Sequence, residues 1–158
     1  MREASGTAGD DVLLRVRDLR VHFPVIEGAI VQKQVASVKA VDGVSFDLHA
    51  GETFGLVGES GCGKSTTALA VLRMLDPTAG TIEFEGTDVT YLNQAAMRPF
   101  RQRLQMVYQD PFGSLNPRMK VGAIIGEPLR IHGVAGDRAS FRARIRELMD
   151  LVGLLPDM

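Results

Sequence analysis

An α/β fold is predicted by three features of the sequence. A continuous apolar run at residues 53–57 leads into a glycine-rich loop at 58–63, and apolar residues then recur at helical spacing over 68–75. Apolar and polar residues alternate at 14–23 and 81–85, which is typical of strands in an antiparallel sheet. Near the end of the chain a third pattern, a one-sided apolar face, predicts a further helix.

Composition limits the classes of protein that this chain can belong to. The 158 residues are 45% hydrophobic, enough for a core, and the net charge of −1 argues against a broad nucleic-acid-binding surface. One cysteine excludes a disulfide framework, and the three histidines show no metal-ligand spacing. Without an apolar run of about 18 residues or a signal region, the sequence predicts a cytoplasmic protein. Residues 1–11 are small and polar and are predicted to be a disordered tail.

The first strand pattern is interrupted. Its alternation over 14–23 changes phase at Asp18, which predicts either two short strands or one bulged strand. Pro24 is expected to end it, and residues 25–39, which have no clean period, are predicted to form a loop. A second strand is predicted over 41–48.

The middle of the chain alternates between predicted strand and helix. The run at 53–57 is apolar at successive positions, as in a parallel strand buried on both faces. After the strand at 81–85, residues 93–103 are predicted to be helical despite Pro99, and 104–108 to form a short strand.

The last third is predicted to be a loop and two helices. Two prolines and a glycine make 109–118 a loop. A helix is expected over 121–131, broken near Pro128. Apolar residues at i, i+4, i+7, i+8 and i+11 over 141–152 predict a second helix, which Gly153 would end.

One motif carries specific chemistry. The stretch after the apolar run matches G-x-x-x-x-G-K-[ST], the phosphate-binding P-loop, and lies between a predicted strand and a predicted helix as that motif requires. Its candidate nucleotide-binding residues are Gly58, Glu59, Ser60, Gly61, Cys62, Gly63, Lys64, Ser65 and Thr66. Bare glycines let backbone N–H groups surround phosphate oxygens, and the helix N-terminus adds its positive dipole. Lys64 would contact the β- and γ-phosphates, Ser65 would bind Mg²⁺, and Thr66 would bond the α-phosphate.

Several alternatives remain open at the level of residues. A glycine-rich turn with a chance Lys-Ser is disfavoured by the flanking strand and helix, but the motif alone does not choose among kinases, GTPases, helicases and transport ATPases. Cys62 could be a reactive thiolate or a small residue that fits. Phe23 could stack on a base or face the core, and Gln109 could orient water and Mg²⁺ or be an ordinary loop glutamine.

Taken together, these stretches resemble the ATP-binding subunit of ABC transporters, and more narrowly the second ATP-binding subunit of oligopeptide and dipeptide importers. The resemblance rests on VHFP at 21–24, VKAVDGVSFDL at 38–48, the loop GESGCGKST at 58–66, and VYQDPFGSLNPR at 107–118 with its extension to 129. It implies a P-loop NTPase fold of the ABC ATPase type, with an N-terminal antiparallel β subdomain and the start of a helical subdomain.

The resemblance also implies roles for single residues. Phe23 would stack on adenine, a position that His22 could also fill, and Gln109 would sense Mg²⁺ and the γ-phosphate. Residues 110–118 would contact integral membrane permease subunits, with Phe112 and Arg118 as contact residues. ATP and Mg²⁺ are the implied ligands, a second ATP-binding subunit in a head-to-tail dimer is the implied partner, and the cytoplasmic face of the membrane is the implied location.

The resemblance runs from about Leu13 to the last residue, but the family's later motifs are missing. A Ser-Gly-Gly-Gln signature, an apolar strand ending in Asp-Glu and a switch histidine would be expected later, and the 158 residues contain none of them. Residues 12–158 are therefore expected to be a partial nucleotide-binding domain that energises peptide or related solute uptake, and turnover by this chain alone is not expected. The alternatives are a small stand-alone P-loop kinase and a non-catalytic fragment that binds permease subunits.

Overall fold

The computed structural model describes residues 12–27, 33–110, 113–134 and 136–154. These form two compact units, one ending at Gln105 and one beginning at Met106. The predicted tail at 1–11 and Phe112 lie outside the described residues.

A four-stranded antiparallel sheet is the main feature of the first unit. Its strands are β1 (Val12–Glu27), β2 (Lys33–His49), β3 (Ala79–Phe84) and β4 (Thr87–Asp88), in the order β2-β1-β3-β4. The alternation at 14–23, 41–48 and 81–85 therefore predicted strands correctly.

The phase change at Asp18 is a bulge within a single strand. Pairing between β1 and β2 shifts between Val16 and Leu19, and Asp18 has a left-handed φ of 46°. Gly80 of β3 accommodates the bulge, because a Cβ there would lie 2.5 Å from the Asp18 carbonyl oxygen. The bulge lets apolar residues on both sides of it face the same core. That core contains Leu14, Val16, Leu19, Val21, Val41, Ala70, Val71, Ile82, Phe84, Val89 and Met97.

The loop predicted over 25–39 was wrong at 25–27 and 33–39, where both strands run further than their apolar patterns; residues 28–32 lie outside the described residues. β1 continues through Pro24 to Glu27, and β2 begins at Lys33. Val25 and Val38 are exposed in this extension of the hairpin. A two-stranded ribbon that is exposed on both faces needs no alternation, so periodicity could not reveal it.

The two short strands predicted around the nucleotide motifs were also wrong. Residues 53–57 and 104–108 have no regular secondary structure, and Val57 and Val107 are 90% and 96% exposed. Phe54 stacks instead on Phe46 of β2, with ring centroids 4.8 Å apart. A parallel strand needs neighbouring strands to pair with, and none borders either segment in the described part of the chain.

Three helical segments complete the described part of the first unit. They are α1 (Lys64–Val71), the short α2 (Gln94–Met97) and a 3₁₀ turn at Phe100–Gln102, whose N-cap is Pro99. The helix predicted at 93–103 is thus present in two pieces.

The second unit contains α3 (Val121–Ile131) and α4 (Arg138–Leu151). The break expected at Pro128 was wrong: α3 continues through it, with Gly126 and Leu129 buried. Packing against α4 offsets the lost hydrogen bond, because a Cβ on Gly126 would lie 2.7 Å from Phe141 Cζ. None of the helices in the described ranges is long and apolar enough to cross a membrane.

Candidate functional site

The phosphate-loop motif leads directly into α1. Gly63 is the N-cap, with φ 92°, and has no side chain to cap the helix. The first helical hydrogen bond runs from Thr67 N to Gly63 O at 2.8 Å, so the N–H groups of Lys64, Ser65 and Thr66 precede the ladder. No acidic side chain lies in this first turn. The N-terminus of α1 thus has the donors and the dipole that suit an anion.

Two glycines of the loop have close neighbours, and the one at Gly63 is a backbone atom that cannot move aside as a side chain can. A Cβ on Gly63 would lie 2.2 Å from the Ala40 carbonyl oxygen, and one on Gly58 would lie 2.6 Å from Cys62 Sγ. Ala40 is the extra residue in β2 where its pairing with β1 shifts between Val21 and His22. The β2 bulge therefore determines where the loop lies, and no sequence pattern marked Ala40 as part of the site.

Lys64 is folded back over the loop. Its Nζ donates to the carbonyl oxygens of Gly58, at 2.8 Å, and Glu59, at 2.6 Å. The positive charge thus lies inside the curve of the loop, on the side where its glycines leave room. To bind a phosphate, Nζ would exchange these carbonyl oxygens for phosphate oxygens, a short-range rearrangement of one flexible side chain.

The remaining loop side chains differ in exposure. Ser65 is exposed and Thr66 half-buried. The buried Thr67, which sequence reasoning missed, donates from Oγ1 to Gly63 O at 2.9 Å and so ties the loop to the first turn. Cys62 is exposed, and its Sγ lies 3.5 Å from Lys64 Nζ as well as against Gly58. Both interpretations of Cys62 therefore stay open.

Phe23 lies on β1 opposite Val38 and is 42% exposed. Two residues earlier, Val21 pairs with Val41, whose Cγ2 would lie 3.6 Å from a Cβ on Gly63. Phe23 is therefore about 7 Å along the strand from the point where the sheet meets the phosphate loop. Its exposure contradicts the alternative that it is a core residue.

His22 is held in an ion-pair cluster on the sheet. Its Nε2 lies 3.1 Å from Asp42 Oδ1, and Lys39 Nζ donates to Asp42 Oδ2 at 3.1 Å. The hydrogen bond from Lys39, and then that from His22, lowers the pKa of Asp42. This cluster accounts for His22 without a role in base stacking.

Gln109 belongs to the second unit, where it is exposed at a bend. The loop after it is shaped by two side chains: Asp110 Oδ1 accepts from Gly113 N at 3.1 Å, and Asn116 Oδ1 accepts from Arg118 N at 3.0 Å. Arg118 is exposed. Within the described ranges, no group of three or more His, Cys, Asp or Glu side chains could hold a metal ion.

Comparison with known proteins identifies the family. The model of the ABC transporter family matches residues 41–157. The chain belongs to that family. The match begins one residue after Ala40, where β2 meets the phosphate loop, and covers parts of both units.

The relatives of this chain include oligopeptide transport ATP-binding proteins. The chain is 45% identical over 150 residues to the oligopeptide transport ATP-binding protein AppF of Bacillus subtilis, covering 94% of this chain and 45% of AppF. It is 43% identical to OppF of Escherichia coli, covering 96% of this chain and 46% of OppF. The chain thus spans less than half of these relatives.

Two solved structures share the fold. One is the dimeric ATP-binding cassette MJ0796 bound to ADP and Pi, with a TM-score of 0.71 at 18% identity, over 90% of this chain and 58% of that one. The other is a nucleotide-free ATP-binding cassette from an ABC transporter, with a TM-score of 0.58 at 24% identity, over 90% and 56% of the two chains. The prediction of an ABC ATPase fold and of membership of the ABC transporter family is confirmed, and the kinase alternative is not supported.

Proposed function

We propose that this chain binds ATP through residues 58–66 and is the nucleotide-binding portion of a subunit that energises peptide uptake. The observation that carries the proposal is the curve of the loop before α1. Glycines leave the inside of this curve free of side-chain atoms. The N–H groups of the first turn of α1 and the Lys64 ammonium group surround a space suited to phosphate. The peptide class comes from the relatives, which are oligopeptide transport proteins.

Each candidate residue has a distinct part in this proposal. Lys64 neutralises the β- and γ-phosphates, and the exposed Ser65 hydroxyl is an oxygen ligand for Mg²⁺. Gln109, which is exposed in the second unit, keeps the Mg²⁺- and γ-phosphate-sensing role that the resemblance implies. The exposed ring of Phe23 offers a flat apolar surface for the adenine base. Bound Mg²⁺ would supply charge neutralisation at the phosphates.

Further partners are part of the same proposal. Exposed loop residues from Gly113 to Arg118 are available to a permease subunit, and a second ATP-binding subunit would complete the nucleotide site from the other side. Dimerisation in the solved MJ0796 cassette supports the second partner.

Isothermal titration with Mg-ATP tests the phosphate site. Lys64→Ala should weaken binding at least about tenfold, since hydrogen bonds to charged groups contribute about 1.5–3 kcal/mol. Lys120→Ala is the matched control, because it removes the same charge from an exposed position before α3 and should leave affinity unchanged. Equal affinity of wild type and Lys64→Ala would reject the site. ATPase activity above the Lys64→Ala background would reject the expectation of binding without turnover.

A further inference from the structure

The helix that follows the phosphate loop is short and depends on what holds its ends. α1 has 8 residues, so it is about 12 Å long and makes few internal hydrogen bonds. Helices of this length are marginal by themselves. Its N-terminal end rests on β2 through Gly63, and its C-terminal end is held by side chains from a distant part of the chain.

Arg101 holds the C-terminal end of α1. Its guanidinium donates to the carbonyl oxygen of Leu72, which is the C-cap, and to that of Arg73 at 2.9 Å. Carbonyl groups at a helix C-terminus lack partners in the helix and carry its negative dipole, so a planar cation that binds two of them fits their geometry and charge. Gln94 Oε1, 3.4 Å from Arg101 Nη2, holds the guanidinium from the other side.

Arg73 makes the same end of α1 rigid. It is 6% exposed, has a left-handed φ of 54°, and donates to the carbonyl oxygens of Val89, at 3.1 Å, and Leu75, at 3.2 Å. Its side chain therefore joins the end of α1 to the residues after β4. Its backbone carbonyl, by contrast, is held by Arg101.

Arg101 is also tied to the segment that leads towards Gln109. Its own carbonyl oxygen accepts from Gln105 Nε2 at 2.9 Å. One residue thus connects the C-terminal end of α1 with the last residue of the first unit, four positions before Gln109 in the sequence.

We propose that Arg101 is a positioning residue for the phosphate-binding end of α1. By fixing the C-terminal carbonyls, it keeps all of this short helix formed, so that its first-turn N–H groups are oriented before nucleotide arrives. Without the Arg101 side chain, α1 is ordered in only a fraction of the molecules before nucleotide arrives. Part of the binding free energy then goes into ordering α1, and the apparent affinity for nucleotide falls in proportion to that fraction. This inference rests on the proposed nucleotide-binding function.

The test compares three variants of the full chain. Arg101→Met removes the hydrogen bonds to the Leu72 and Arg73 carbonyl oxygens and keeps an unbranched side chain. Arg101→Lys keeps the charge but cannot donate to both carbonyl oxygens with the geometry of a guanidinium. Arg98→Met is the control, because it removes an exposed arginine from the same segment. Affinity for Mg-ATP is measured by titration at a temperature where every variant is folded. Thermal unfolding without nucleotide and hydrogen exchange of the α1 amides are measured in parallel.

Arg101→Met should raise the Kd for Mg-ATP roughly 3- to 30-fold, Arg101→Lys less, and Arg98→Met less than twofold. The α1 amides should exchange faster in Arg101→Met and regain protection at saturating Mg-ATP. A lower unfolding temperature with unchanged Kd would show a merely structural role and overturn the proposal. If Arg101→Met does not fold, unchanged affinity in Arg101→Lys overturns it. If the wild type itself does not bind Mg-ATP, the proposed function fails before these variants are compared.

Discussion

Gly63→Ala is the substitution that most sharply tests how the sheet positions the phosphate loop. Two separate costs arise at this position. The backbone φ of 92° is unfavourable for a residue with a Cβ, and that Cβ would lie 2.2 Å from the Ala40 carbonyl oxygen. Ordinary contacts between carbon and oxygen are more than 3 Å, so either the loop or the β2 bulge must move by about 1 Å.

Two other glycines separate these costs. Gly61 has φ 85° with nothing within 4 Å of an added Cβ, and Gly55 has neither a positive φ nor a close neighbour. Gly61→Ala should therefore show backbone strain alone, about 1–2 kcal/mol. Gly63→Ala adds overpacking of about 1–3 kcal/mol, for a total of about 2–5 kcal/mol, and Gly55→Ala should be within about 0.5 kcal/mol of wild type.

Urea unfolding of the three variants, with Mg-ATP titration of each, measures both stability and binding. The expected order of destabilisation is Gly55→Ala, Gly61→Ala, Gly63→Ala, and Gly63→Ala should also lose measurable affinity. Equal unfolding free energies for Gly61→Ala and Gly63→Ala would show that Ala40 does not constrain the loop.

Three further predictions concern other parts of the chain. The Val57 side chain is 90% exposed, so Val57→Thr should reduce self-association, measured by light scattering, and leave the unfolding temperature unchanged. A large drop in the unfolding temperature would mean that Val57 is buried. Gly126→Ala should destabilise the second unit by about 1–3 kcal/mol, because the added Cβ clashes with Phe141. In Gly122→Ala the nearest atom to the added Cβ is 3.8 Å away, so this variant should be neutral or stabilised by up to about 1 kcal/mol. Urea unfolding followed by circular dichroism measures both, and equal unfolding free energies for the two variants would disprove the prediction. Asp137 caps α4, and the hydrogen bond from Ser140 N lowers the pKa of its carboxyl group. The cap therefore stabilises the fold above the ordinary carboxyl pKa, and this stabilisation is lost as the pH falls through the lowered pKa. Asp137→Ala should lower the unfolding temperature at pH 7 but not near pH 2, and an equal loss at both pH values would contradict this.

Features whose causes are local were predictable from the sequence. The phosphate loop and the start of α1 follow from glycine, Lys64 and apolar spacing, all within a few residues. The N-cap Asp137 and the stop at Gly153, with φ 71°, bound the predicted α4 in the same way. The break in alternation at Asp18 predicted a bulge as one of two outcomes, because a bulge inverts the faces of the residues after it.

Features that depend on distant partners were not predictable. Residues 53–57 have the composition of a doubly buried strand, but a strand forms only where neighbouring strands supply hydrogen bonds. Pro128 breaks isolated helices, yet burial of Gly126 and Leu129 maintains α3 around it. Two contacts have no sequence signature, because each joins residues more than 20 positions apart. They are the close approach of the Ala40 carbonyl oxygen to Gly63 and the hydrogen bonds from Arg101 to the end of α1.

The location of bound nucleotide is the most direct test of the central claim. Amide chemical shifts of the isotopically labelled chain are followed by NMR as Mg-ATP is added, with Lys64→Ala as the comparison. The largest changes should fall on the amides of residues 58–66, with smaller ones near Phe23, and Lys64→Ala should abolish them at the same concentrations. Saturable changes confined to other residues, or unchanged by Lys64→Ala, would contradict the assignment of this loop as the phosphate site.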